Sequence, residues 1–194
     1  MAQTFNNDLA AIPGLNDRVP GAAPLSAVSW SSILAGSFAS LGLSFILVAL
    51  GSGLGFAFVS PWPGHGLSTT ALTATAVIWL LVAQWISAGV GGYLAGRLRT
   101  RWVGTHMHEV FFRDTAHGLI TWAVVTVVIA VLTVPLAGSM SWPATHMELS
   151  AVDIDLARKA AAESSIYLAL SLLVGAFIAS VAAALGGHQR DLHI

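Results

Sequence analysis

The sequence contains no cysteine. That excludes disulfides, thiolate metal sites, cysteine-held iron–sulfur clusters and a cysteine nucleophile. Charge is almost as scarce. The 194 residues carry eight basic and nine acidic side chains, 9% of the chain, where an ordinary soluble domain has about 25%. So few charges do not cover a water-facing surface, and they cluster, leaving long stretches with none. The net charge of −1 gives no basic footprint for nucleic acid. A P-loop, a G-x-S-x-G elbow and an H-E-x-x-H zinc motif are all missing. Residues 1–26 lack the basic start and apolar run of a secretory signal. They are polar, contain Asp8, Asp17 and Arg18, and are broken by Pro13, Pro20 and Pro24, so a flexible cytoplasmic arm is expected.

What the chain does have is apolar length, with 56% hydrophobic residues. A membrane-spanning helix needs about 20 mostly apolar residues. Four stretches qualify, roughly 28–59, 71–96, 116–136 and 165–187, and none has Asp, Glu, Lys or Arg in its interior. The expected fold is all-α, a bundle of four transmembrane helices occupying residues 27–194. The Ala-rich run 151–163 adds a short outer helix. Ser150 and Asp153 suit its start, and Asp155, Lys159 and Glu163 follow at i,i+4 spacing.

Basic residues set orientation. Arg97, Arg99, Arg101 and Arg113 follow the second span, Arg18 precedes the first and Arg190 follows the fourth. Arg158 and Lys159, on the other side, are mixed with acids. Both termini are therefore expected in the cytoplasm, and the protein in a bacterial inner membrane. Trp30 and Trp102 fall at the cytoplasmic ends of spans, Trp62 and Trp142 at the outer ends, as interface anchors. Trp79 and Tyr167 are expected near the outer boundary.

The chain reads as two hairpins in tandem. Both outer loops contain Trp-Pro closely followed by His, as Trp62-Pro63-Gly64-His65 and Trp142-Pro143-Ala144-Thr145-His146. The ends of spans two and four align, Leu94-Ala95-Gly96-Arg97-Leu98-Arg99 with Leu185-Gly186-Gly187-His188-Gln189-Arg190. Small residues recur every fourth position: Gln84, Ala88, Gly92 and Gly96 in span two, and Gly175, Ala179, Ala183 and Gly187 in span four. Span one has Ser32, Gly36, Ser40 and Ser44. Such rows lie on one helix face and let backbones approach closely. Two hairpins that start and end on the same side predict a pseudo-two-fold axis along the membrane normal. Gln84, the sole amide within a span, is expected to make an interhelical hydrogen bond.

Seven histidines stand out in so apolar a chain. His106 and His108, followed by Glu109, Asp114 and His117, are metal-ligand types. Their spacing matches no closed zinc site, and a polar loop is the preferred reading. Arg97, Asp114, His117 and Trp122 are expected to form a polar cluster near the cytoplasmic surface. His65 and His146 read as turn residues rather than a metal pair. No catalytic residue and no resident cofactor are expected. Haem held by His117 and His188, a quinone, or a divalent metal stay open as alternatives.

Three motifs, Ser29-Trp30 with Ala35-Gly36, Gly91-Gly92-Tyr93-Leu94-Ala95-Gly96-Arg97, and His117-Gly118 with Trp122, are those of a resemblance. Over its first three spans the chain resembles uncharacterised bacterial multi-pass membrane proteins. The resemblance implies a multi-pass helical protein and no particular activity.

The surplus of small-residue faces points to a non-enzymatic protein that works by helix association, as an accessory subunit of a larger membrane complex or as a homo-oligomer. Its expected partners are the bilayer and other membrane subunits or its own copies. A passive pore or carrier is the alternative drawn from the hairpin repeat, and a redox or quinone-handling subunit the one drawn from the histidines.

Overall fold

A long apolar segment stays stable in lipid only when its backbone polar groups are satisfied within it. The computed structural model, which describes residues 28–60, 66–100, 107–139 and 151–192, meets this with four helices. They are α1 (Trp30–Phe58), α2 (Thr69–Leu98), α3 (Met107–Ser139) and α4 (Ala151–Leu192), with no strand among the described residues. All four are long and apolar enough to cross a membrane. The chain is a multi-pass membrane protein built as an all-α four-helix bundle in contact with lipid.

Side-chain hydroxyls are handled locally. Ser37 donates to the carbonyl of Ile33, Thr73 to Thr69, Thr75 to Ala71 and Ser180 to Ala176, each at 2.8–2.9 Å. Returning the proton to the carbonyl four residues back hides a polar group without needing a partner helix. The turn after α1 closes where the Leu67 N–H donates to Phe58, beside Gly66 at φ 102°. That φ is one that L side chains rarely adopt. Ser68 then caps α2, its hydroxyl accepting from the Ala71 N–H at 3.2 Å.

Two helices outrun the hydropathic spans. α3 begins at Met107 rather than near residue 116, so Arg113 and Asp114 lie on a helix and not in a connection. The helix tolerates its charges because Arg113 pairs with Glu109 one turn back at 2.6 Å and Asp114 is buried against arginines. The Ala-rich segment is continuous with α4, which reaches 42 residues, or about 63 Å at 1.5 Å per residue. Its Asp155–Lys159 pair closes at 2.9 Å. The capping residue Ser150 lies outside the described residues.

Packing is uneven along the helices. The first turns of α1, the last of α2, the first of α3 and the last of α4 meet at one end, and the buried residues concentrate there. Toward the other end the helices splay. Every residue of α4 from Val152 to Leu170 is exposed. α2 and α3 both touch all the other helices, whereas α1 and α4 do not meet among the described residues. A two-fold axis exchanging the hairpins would relate the α2–α3 contact to an α1–α4 contact, and the latter is not made.

Trp79 sits between α1 and α2. Its indole N–H donates to the Leu47 carbonyl at 2.9 Å, and its ring fills the space left by Gly51. Trp79→Phe keeps most of the packing and loses the bond. The expected cost is about 0.5–1.5 kcal/mol, read as a lowered melting temperature in mild detergent. Tyr167 is exposed on α4, and Trp30 is exposed at the start of α1. Trp62, Trp102, Trp142, His65, His106 and His146 lie outside the described residues.

Candidate functional site

The packed end is held by charge. Asp114 on α3 is 2% exposed and receives Arg99, just past the end of α2, at 2.8 Å, and Arg190 of α4 at 3.5 Å. Arg190 also donates to the Gly96 carbonyl at 3.0 Å and pairs with Asp191. One carboxylate thus ties three helices together. Burial lowers the pKa of the Arg99 guanidinium, and the Asp114 carboxylate opposes that shift.

Beside this cluster, His117 is 2% exposed. Its Nε2 accepts from the Ser29 backbone N–H at 2.8 Å, which places the ring proton on Nδ1, donating to the Arg113 carbonyl at 2.6 Å. His117 therefore moors the start of α1 to α3. Both ring nitrogens are occupied, so an iron or other metal would have to break one of these bonds. His188 and His108 are exposed on their helices. No group of three or more possible metal ligands converges among the described residues.

Of the expected polar cluster, Asp114 and His117 do lie together. Arg97 is half-buried and pairs with no carboxylate among the described residues, and Trp122 lies about two turns along α3 from Asp114, against Gly175 and Gln84. The partners that sequence reasoning passed over are Arg99, Arg190 and Ser29. A signal for the arginines was present, since the aligned ends of spans two and four both finish in arginine, Arg99 and Arg190. The structure brings these two onto the same carboxylate.

Small residues make the seams. A β-carbon added to Gly92 would overlap the Ala179 carbonyl, and one on Gly96 the Ala183 carbonyl. α2 and α4 therefore run parallel and in near backbone contact. The facing pairs are one turn out of step with the sequence alignment, which sets Gly92 against Ala183. Ala88 is buried in the same region, and Gln84 accepts from the Ser171 hydroxyl at 2.9 Å farther along. Gly118 of α3 packs on Ala179 and Ala183 from the other side, Gly187 on Asp114, and Gly175 on Trp122. On α1, Gly36 meets the Gly91 carbonyl, Ser40 lies 2.7 Å from where a Gly91 β-carbon would be, and Ser32 is buried. Ser44 is half-buried where the helices begin to part.

No protein family, curated protein or solved structure matches this chain. Its site is therefore read from its own geometry.

One face remains unused. β-carbons on Gly42 and Gly53 of α1 would meet nothing within 4 Å. Ala49 and Ala57 fall on the same face and are exposed. Phe38, Phe45 and Phe56 form an exposed row beside it, 72–79% accessible. Sequence reading passed over the face of Gly42, Ala49 and Gly53 because its spacing of seven and four residues is less regular than the four-residue stripes.

Proposed function

We propose that the protein is non-enzymatic and works by helix association, as an accessory subunit of a larger complex in a bacterial cytoplasmic membrane. The small-residue face of α1 around Gly42, Ala49 and Gly53 carries this reading. Exposed apolar residues by themselves are what lipid contact requires. Small ones aligned on an exposed face are what a close-packed helix partner requires, because they let its backbone approach. The other seams support the reading by contrast. The rows on α2 and α4 are consumed inside the bundle, so the α1 face is surplus to the fold. The buried ionic groups of the packed end are spent on one another, as expected of a structural cluster. The packed end carries Arg97, Arg99, Arg113 and Arg190, which supports its placement on the cytoplasmic side.

Native purification in mild detergent followed by intact mass tests this. A stoichiometric complex with a larger membrane protein is expected. Gly42→Leu and Gly53→Leu, which have room in the free chain, are expected to release it as a monomer with unchanged helicity and melting temperature. A homo-oligomer with nothing else bound would shift the assignment to a scaffold or pore. A wild-type monomer, with every membrane complex intact when the chain is deleted, would sink the association reading.

A further inference from the structure

The arginines of the packed end are not all matched. Arg99 and Arg190 share Asp114, and Arg113 pairs with Glu109. Arg97, in the last turn of α2, has no carboxylate and no hydrogen-bond partner among the described residues. Nor does the end of α2 need it as a cap. Arg190 reaches across from α4 and donates to the Gly96 and Arg99 carbonyls at 3.0 and 3.4 Å. Arg97 is half-buried, and its guanidinium is divided. Nη1 is enclosed by the bundle, whereas Nε and Nη2 are left open. Those two nitrogens form one edge of the guanidinium fork, and such an edge grips a phosphate through two parallel hydrogen bonds.

The surroundings of Arg97 are amphiphilic. Ile86, Val90, Tyr93 and Arg97 recur at spacings of four, three and four residues, so they share one face of α2. Ile86 and Val90, deeper in the membrane, are exposed. Tyr93 bridges to α4, donating to the Gln189 side-chain oxygen at 2.6 Å. That leaves the amide NH₂ of Gln189, an exposed residue, to donate elsewhere. Gly186 holds the two helices together beneath these groups. A β-carbon there would overlap the Tyr93 carbonyl and stand 3.0 Å from the Arg97 amide nitrogen. No acid lies on this face of α2, and Asp191 of α4 is engaged by Arg190. From the helix end inward the face therefore runs from cation to neutral polar groups to aliphatic side chains. A glycerophospholipid presents its phosphate, its ester region and its acyl chains in the same order. A free anion would use the guanidinium alone and leave the aliphatic part of the face unmatched.

We propose that Arg97 binds the phosphate of an anionic glycerophospholipid from the adjoining leaflet, with Gln189 donating beside it and an acyl chain lying over Val90 and Ile86. Anionic headgroups are drawn to basic side chains at the membrane surface, and here the cation is already positioned by the α2–α4 seam. α1 meets α2 through Gly91 and Ala95, on the side of α2 away from Arg97. A protein partner on the α1 face therefore leaves the lipid site open.

The test uses the full chain, stripped of lipid in dodecyl maltoside. Dioleoylphosphatidylglycerol, dioleoylphosphatidylcholine and inorganic phosphate are titrated separately. Native mass spectrometry counts the bound lipid, and thermal melting follows stability. Saturable binding of one phosphatidylglycerol per chain is expected, with a raised melting temperature. Phosphatidylcholine, which carries its own cation, is expected to bind more weakly, and excess inorganic phosphate to displace neither lipid. Arg97→Gln is expected to weaken phosphatidylglycerol binding by about tenfold, the effect of losing a charge-assisted hydrogen bond. Its melting temperature without lipid should stay that of the wild type, because the guanidinium has no partner among the described residues. Arg97→Lys keeps the charge without the two-pronged grip and should fall between, which gives a second reading if Arg97→Gln folds poorly. Arg158→Gln removes the same charge from an exposed position on α4 and is expected to bind as the wild type does. Equal losses in Arg97→Gln and Arg158→Gln would reveal a diffuse charge effect and overturn the site. Saturation by neither lipid, equal affinity for both, or displacement by inorganic phosphate would also overturn it, the last assigning the guanidinium to a free anion.

Discussion

Asp114→Ala is expected to be the most damaging small substitution in this protein. It removes the buried carboxylate that pairs with both Arg99 and Arg190 at the packed end. The guanidinium of Arg99, 2% exposed, would lose the buried carboxylate it pairs with at 2.8 Å. Breaking a buried pair from one side costs about 3–5 kcal/mol, a large share of the total stability of a small domain. Denaturant titration in mild detergent checks this, with helicity by circular dichroism as the readout. Asp114→Asn, which keeps an acceptor for Arg99 but no charge, should fall between the variant and the wild type. Arg99→Leu added to Asp114→Ala should recover part of the loss, because the second change removes the buried charge that Asp114 had balanced. An Asp114→Ala protein as stable as the wild type would show that the ionic cluster does not hold the helices.

Gly96→Leu should rank next. Even a β-carbon at Gly96 overlaps the carbonyl of Ala183, and Ala183 is fully buried between helices. A backbone carbonyl inside a helix does not swing aside as a side chain does, so α2 and α4 must separate. Overpacking of this kind typically costs about 1–3 kcal/mol, occasionally more. Here the displacement also pulls on the Arg190 bond to the Gly96 carbonyl and the Gln84–Ser171 bond along the same seam. Gly53→Leu, in the same chain and equally apolar, meets open space and should leave stability unchanged. Comparing the two by thermal melting in one detergent isolates packing from hydropathy. Equal melting temperatures would contradict the parallel α2–α4 seam.

Residues that act through their neighbours were legible in the sequence only in part. The four-residue rows on spans two and four do face each other in the bundle, but one turn out of step with their alignment. Trp122 was grouped with Asp114 because both lie near the start of the same span. About two turns of helix put them at different depths, one in the ion cluster and the other beside Gly175. Helix α3 was expected to start after its charges, since charges are costly in lipid. In the fold, Asp114 is shielded by α2 and α4 rather than exposed to lipid, so the helix runs through it. The free face on α1 escaped notice because Gly42, Ala49 and Gly53 look no different from the glycines that the bundle consumes.

The number of helices, their approximate limits and the clustering of basic charge at one end follow from single segments of the chain. A bilayer imposes a length and a hydropathy that each segment must meet by itself, so no distant residue is needed to read them. The pairing of Arg99 and Arg190 on Asp114, the register of the α2–α4 seam and the mooring of Ser29 by His117 arise only when the helices pack. In a soluble helix the apolar stripe marks the inward face. In a membrane the lipid is as apolar as the protein interior, so hydropathy carries no inward direction. Which small face is buried is decided by the shape of the neighbouring backbone.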